Sequence, residues 1–306
     1  MAHQPARTRP IAVYGALLAN LGIAVAKFVA AALTGSSAMV SEGIHSVVDT
    51  ANQALLLVGI NRSHRPADDL HEFGHGKELY FWTLVVAVLL FGVGGGLALY
   101  EGIIHVLEPM PLENPIANYI VLAIAFVLEA ASWTIALREI RAMAGEGNLR
   151  RKILSSRDPS VVTVLLEDSA ALIGLVAAFV GILLADLTGD SRFDGLGSIV
   201  IGVVLAVVAL FLAYESRGLL IGERARTDVR NTIRRVVEFD DAVDSLVSAR
   251  TMHLGPNQVL VNARVRFHSS DVSEVAATIA RLKAALVDSD HRLTDITIEP
   301  EAGAKA

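Results

Sequence analysis

Six apolar stretches, each long enough to cross a bilayer, constrain this chain more than any other feature. They run over about Ile11–Leu33, Ala38–Ile60, Tyr80–Val106, Ala117–Leu137, Val161–Leu187 and Gly195–Tyr214. About 20 apolar residues suffice for a helix to span the hydrocarbon core. No water is available there for backbone polar groups, so a continuous run of this length predicts a helix. The first run exceeds the roughly 7–15-residue core of a cleavable signal peptide and is read as the first span. Composition agrees: 53% of residues are hydrophobic, 19% are charged and the mean hydropathy is +0.51. Soluble domains carry roughly a quarter charged residues. The net charge of −6 excludes an ordinary nucleic-acid binder. The absence of cysteine excludes disulfides and thiolate zinc sites. Metal chemistry, if present, must use His, Asp, Glu, Asn or backbone oxygen.

Basic residues sort the loops. The first loop (residues 34–37) and the third (residues 108–115) have none, and the fifth has only Arg192. The second carries Arg62, Arg65 and Lys77, and the fourth carries Arg138, Arg141, Arg150, Arg151, Lys152 and Arg157. Arg7 and Arg9 precede the first span. Positive charge marks the cytoplasmic side. Both termini and the even loops are therefore expected in the cytoplasm, with the protein in the plasma (inner) membrane.

After Tyr214 the character changes, and the chain divides into a membrane domain (residues 1–222) and a small soluble domain (residues 223–306). Thr227–Val237 reads as a helix with Val229, Ile233, Val236 and Val237 on one side. Leu246–His253 reads as a strand, followed by a turn at Gly255-Pro256-Asn257. Gln258–Phe267 alternates, with Val259, Val261, Ala263, Val265 and Phe267 on one face and Asn262, Arg264 and Arg266 on the other. Asp271 and Glu274 start a helix in the manner of a capping box, and Leu293–Ile298 is a last strand. The order is αββαβ, an α+β unit, with Ala302–Ala306 as a tail.

Chemistry concentrates where apolar runs carry ionisable groups. Such groups are costly within a bilayer, face the bundle interior and mark ion or proton paths. The second run contains Glu42, His45 and Asp49 at i, i+3 and i+7, which places all three on one helical face. Imidazole with carboxylate suits Zn²⁺, with Fe²⁺, Co²⁺ and Mn²⁺ as alternatives. The competing reading is a polar cluster that only bonds helices together. The fifth run contains Glu167 and Asp168, and adjacent helical residues diverge by about 100°. Glu167 therefore completes a site with Asp168, binds an Arg or passes protons. In the second loop Asp68, His71 and His75 also fall at i, i+3 and i+7, but Gly74 weakens the case for a helix. They form either a second divalent-metal site or a solvated polar loop. Lys27, Glu129 and Asn20 are read as charge pairs, snorkelling groups or interhelical hydrogen bonds. His253, His268 and His291 are read as surface histidines. No activated nucleophile or His-Glu-x-x-His pair accompanies the helix-two site, which speaks against an enzyme.

Two segments resemble the cation diffusion facilitator family. Ser41-Glu42-Gly43-Ile44-His45-Ser46-Val47-Val48-Asp49 is similar to its helix-two signature. His71-Glu72-Phe73-Gly74-His75-Gly76-Lys77 is similar to its motif at the entry to helix three. The run Leu165-Leu166-Glu167-Asp168 resembles the branch that contains the ninth human zinc transporter. The resemblance implies six spans, cytoplasmic termini and a ferredoxin-like cytoplasmic domain that forms a homodimer. It implies export of a divalent metal cation, Zn²⁺ first, against protons by alternating access, with no prosthetic group. It implies metal ligands His45, Asp49 and Asp168. Val164 stands where the family has a fourth, histidine ligand, and Glu167 is its nearest replacement. Val247, Ala263 and Glu299 stand where some bacterial zinc exporters use histidine, which implies reduced metal sites between cytoplasmic domains. The rival from another class is a membrane-embedded metal sensor or scaffold without flux.

Overall fold

A computed structural model describes residues 10–144 and 159–302. Arg7, Arg9, Arg150, Arg151, Lys152, Arg157 and residues 303–306 lie outside the described residues. Among the described residues, six long helices follow the apolar runs: α1 Pro10–Thr34, α2 Ser37–Ser63, α3 Glu78–Leu107, α4 Ile116–Ala144, α5 Pro159–Thr188 and α6 Arg192–Ile221. Among the described residues, α3, α4, α5 and α6 are long and apolar enough to cross a membrane by length and composition. Within α1 the stretch Asn20–Thr34, the part whose side chains are described, is apolar. The apolar character of α2 is diluted by Glu42, His45, Asp49, Asn52 and Gln53.

The described residues form two compact units. One comprises the chain up to Val58 with Trp82–Glu215, and the other comprises Gly59–Phe81 with Ser216–Ala306. The second loop, assigned from the sequence to the membrane domain, thus clusters with the C-terminal unit.

In the first unit α4 packs on α1 and α5 around a core that includes Met39, Val48, Leu90, Leu175, Ile182, Ile201 and Leu205. Backbones approach most closely where α3 meets α6. A Cβ on Gly102 would lie 2.7 Å from the Gly195 carbonyl oxygen, and one on Gly202 would lie 2.8 Å from the Leu99 nitrogen. Small residues are what membrane helices use for such proximity. Within α3, residues Leu90–Gly95 are π-helical, and the Gly96 N–H reaches back to the Phe91 carbonyl. A hydropathy profile carries no trace of this break. The start of α2 is fixed by another helix: Asp194 on α6 accepts hydrogen bonds from the backbone N–H groups of Ser37 (2.5 Å) and Ala38 (3.3 Å) and from Ser36 Oγ (2.7 Å). A carboxylate at a helix N-terminus satisfies donors that have no intrahelical partner.

In the second unit the order is α7 (Thr227–Glu238), β1 (Val243–Gly255), β2 (Gln258–Phe267), α8 (Val272–Ser289) and β3 (Leu293–Pro300). The sheet order is β1-β2-β3, with β2 antiparallel to β1 and parallel to β3. The alternation read in β2 holds: Val259, Val261, Ala263 and Val265 are fully buried against Val229, Ile233, Val237, Leu282 and Leu286. β1 is longer than the sequence indicated. Register shifts at Val243/Ser245, Leu246/Ser248 and His253/Gly255 break its period-two pattern, as bulges do. Asp271 caps α8 through the Ser273 and Glu274 N–H groups, while its own N–H donates to Ser269 Oγ. His268 and His291 are exposed as expected. His253 is not: it is buried at 3% exposure, in the stretch of β1 whose backbone pairs with Glu223.

Candidate metal centre

The helical spacing of α2 brings its ionisable residues to one face, as the sequence requires. His45 Nε2 stands 3.4 Å from Asp49 Oδ2, with His45 at 1% and Asp49 at 13% side-chain exposure. Among the described residues, neither ring nitrogen of His45 nor Oδ1 of Asp49 has a hydrogen-bond partner. Buried polar atoms are nearly always satisfied, so a group of them left open calls for an explanation. Lone pairs on an imidazole and a carboxylate one turn apart are what a divalent transition metal takes.

Glu42, one turn earlier on that face, is partly engaged. Its Oε2 lies 2.8 Å from Lys27 Nζ on α1, and both side chains are fully buried. Lys27 Nζ also donates to Ser46 Oγ at 2.8 Å. Glu42 Oε1 has no hydrogen-bond partner among the described residues and faces α5, where a Cβ on Gly174 would come within 2.5 Å of it. Asn20 on the same helix as Lys27 donates to Gln53 Oε1 at 3.3 Å, the interhelical bond anticipated for it.

The neighbours on α5 diverge as expected. Glu167 turns to α2, where its Oε1 accepts from Asn52 Nδ2 at 2.8 Å. Asp168 turns to α4, where its Oδ2 accepts from Ser132 Oγ at 3.0 Å. Val164, one turn before Asp168, packs in a small apolar cluster with Trp133, Ala136, Leu137 and Leu165. Glu167, Glu129, Lys27 and Asp168 all lie close enough to Asp49 to act on it electrostatically. His45, Asp49 and Asp168 are not drawn together tightly: their ligand atoms do not all lie within 4.8 Å of one another. Sequence reasoning missed Asn52, although it continues the α2 face three residues after Asp49. It also missed Ser132, whose role depends on the α4–α5 pairing and has no local signal.

One set of three potential ligands among the described residues is already assembled, and it is Asp68, His71 and His75. Asp68 Oδ1 lies 3.1 Å from His71 Nδ1, and Asp68 Oδ2 lies 3.0 Å from His75 Nε2. Turns, not a helix, create this arrangement. Asp68 Oδ1 accepts from the Leu70 and His71 N–H groups, and Gly74 adopts φ +79°. The run His71-Glu72-Phe73-Gly74-His75 has the spelling of a zinc-protease motif, but that motif works on a helix and this segment is not one. The His75 hydrogen bond, followed by the His71 backbone N–H, holds the Asp68 carboxyl below the usual carboxylate range. These residues line a surface cleft of about 580 Å³ with Phe73, Met252 and Leu254.

The helical unit combines apolar helices long enough to cross a membrane with a His–Asp pair whose ring nitrogens and Oδ1 have no hydrogen-bond partner among the described residues. Residues 13–221 match the cation efflux transmembrane domain, and the chain belongs to the cation efflux family, whose members are transporters and not enzymes. The chain is 38% identical over 243 residues to the proton-coupled zinc antiporter SLC30A9, mitochondrial, of Xenopus laevis, covering 79% of this chain and 44% of that protein. It is 33% identical over 263 residues to metal tolerance protein C4 of Arabidopsis thaliana, covering 85% and 58%. It is 26% identical over 261 residues to the cation-efflux pump FieF of Cronobacter sakazakii, covering 85% and 82%. The chain thus spans about half the length of the first two relatives.

Proposed function

We propose that this chain exports a divalent transition-metal cation, Zn²⁺ first, from the cytoplasm in exchange for protons. The observation that carries the reading is the buried His45–Asp49 pair with its open lone pairs. His45 and Asp49 hold the ion from α2, and Glu167 and Asp168 supply carboxylates from α5. The same groups must shed protons to bind metal, so metal and proton compete for one site. A site that exchanges them and opens alternately to each side couples their movements. The names of the vertebrate relatives, which specify zinc and proton coupling, support this choice. Carboxylates outnumber imidazole in the proposed set. Oxygen-rich sites admit Mn²⁺ and Fe²⁺ more readily, so broader selectivity than a two-histidine site follows.

In this reading α1 and α2 join the four apolar helices as spans, with both termini cytoplasmic as the loop charges indicate. The membrane is the plasma (inner) membrane of a cell, although the vertebrate relatives are named as mitochondrial. The αββαβ unit is a ferredoxin-like domain that forms a homodimer. Asp68, His71 and His75 form a second, cytoplasmic site for the same class of ion.

The test is uptake of Zn²⁺ into sealed vesicles under an imposed pH gradient. Wild type should accumulate Zn²⁺ in proportion to the gradient, and Asp49→Ala should abolish uptake while leaving the protein folded. Near-normal flux in Asp49→Ala would remove the assigned site. Metal binding without flux in wild type would favour a sensor.

A further inference from the structure

The ion pair between Lys27 and Glu42 is unusual for its place. Both side chains are fully buried, and they lie in the same helical unit as the His45–Asp49 pair with its unpaired atoms. A buried lysine has to be matched by a negative charge, and Glu42 Oε2 supplies it at 2.8 Å, with Ser46 Oγ as a second acceptor at 2.8 Å. Ser46 follows His45 in the chain, and Glu42 precedes it by one turn. The ammonium is therefore tied to the face that carries the proposed ligands, and it acts electrostatically on both His45 and Asp49.

We propose that Lys27 is a tethered counter-cation of the transport site, which keeps Glu42 out of the metal's coordination shell and sets the site's charge. The spacing of Glu42, His45 and Asp49 makes Glu42 look like a third α2 ligand. The structure gives its carboxylate another task. With Lys27 in place, Glu42 contributes no net charge to the site, and the cation is held by His45, Asp49 and the α5 carboxylates. Without Lys27, one more uncompensated carboxylate, already carrying an open oxygen, stands on the α2 face that carries His45 and Asp49. A charge of this kind acts strongly in a site screened from water. Lys27 thus weakens metal binding enough for release, since a transported ion must leave as well as enter.

This inference rests on the proposed transport site and is tested by Zn²⁺ titration of the purified full chain in detergent. The variants are Lys27→Met, Glu42→Gln, the double Lys27→Met/Glu42→Gln and, in parallel, Asp49→Ala. Glu42→Gln leaves Lys27 uncompensated beside the site and should weaken Zn²⁺ binding about tenfold or more. The double variant removes both charges and should return the Kd to within about threefold of wild type. Lys27→Met should bind about tenfold tighter and release Zn²⁺ more slowly in vesicle efflux. If Glu42 were a metal ligand, the double variant would remain as weak as Glu42→Gln. That result overturns the proposal, and it can be read even if Lys27→Met alone does not fold. Unaltered binding in Glu42→Gln overturns it as well. Asp49→Ala reports on the site itself: retained Zn²⁺ binding there refutes the transport site, a failure distinct from that of the counter-cation.

Discussion

Gly174→Ala places a single methyl group where the fold has no room for it. A Cβ at position 174 would stand 2.5 Å from Glu42 Oε1, whereas ordinary contact begins near 3.4 Å. The carboxylate must therefore retreat by about 0.9 Å. A flexible side chain would do so at little cost, but Glu42 is held 2.8 Å from Lys27 Nζ. Lengthening that pair by the same amount, at an effective dielectric of about 20, costs on the order of 1.5 kcal/mol. Loss of the hydrogen bond adds about 1 kcal/mol. Alanine returns about 1 kcal/mol through its higher helix propensity. The net effect is destabilisation of about 1–2 kcal/mol, or a drop of roughly 2–8 °C in Tm for a unit of this size. The assay is thermal unfolding in detergent, with Gly22→Ala as the control. Nothing lies within 4 Å of a Cβ at Gly22, so propensity alone should act there and Tm should hold or rise. The two substitutions therefore have opposite predicted signs. An unchanged or raised Tm for Gly174→Ala would refute the claim that Glu42 is pinned between α1 and α5.

Two further outcomes follow from the same geometry. Val164 packs in the apolar cluster with Trp133, Ala136 and Leu137, so an imidazole introduced by Val164→His is expected to stay in that cluster and competitive Zn²⁺/Mn²⁺ uptake should keep the wild-type ratio. A clear shift towards Zn²⁺ would mean that position 164 faces the site. Asp68→Asn should speed amide hydrogen exchange at Leu70 and His71, whose N–H groups Asp68 accepts. Hydrogen bonds from His75 and from the His71 N–H hold the folded Asp68 carboxyl below the ordinary carboxylate range. Its contribution is therefore complete above about pH 4 and is lost as pH falls through the lower, folded value. Wild type and Asp68→Asn should differ at pH 5 to 7 and converge only in strong acid, and equal exchange at pH 6 would refute this.

Much of this protein was legible in its sequence because the constraints involved are local. A helix of about 20 apolar residues is dictated by the solvent around it, and the six apolar runs became α1 to α6 with ends shifted by a few residues. Glu42, His45 and Asp49 share a face because 3.6 residues make a turn, whatever the helix packs against. The period-two burial of β2 has the same origin. The π-helical turn at Leu90–Gly95, the bulges of β1 and the burial of His253 were not legible. Each depends on what lies opposite the residue.

The sequence by itself determined which groups are available to hold a cation, since ionisable residues in apolar runs are costly and few. Only the tertiary structure decided what each group does. Glu42 and Asp49 are the same kind of residue on the same helical face, yet one is bonded to Lys27 and the other stands beside His45 with an open oxygen. Glu167 and Asp168 are neighbours in the chain, yet one turns to Asn52 on α2 and the other to Ser132 on α4. Those partners come from helices distant in sequence. A carboxylate's role is set by the charges and donors within a few ångströms of it, and spacing along one helix does not specify them.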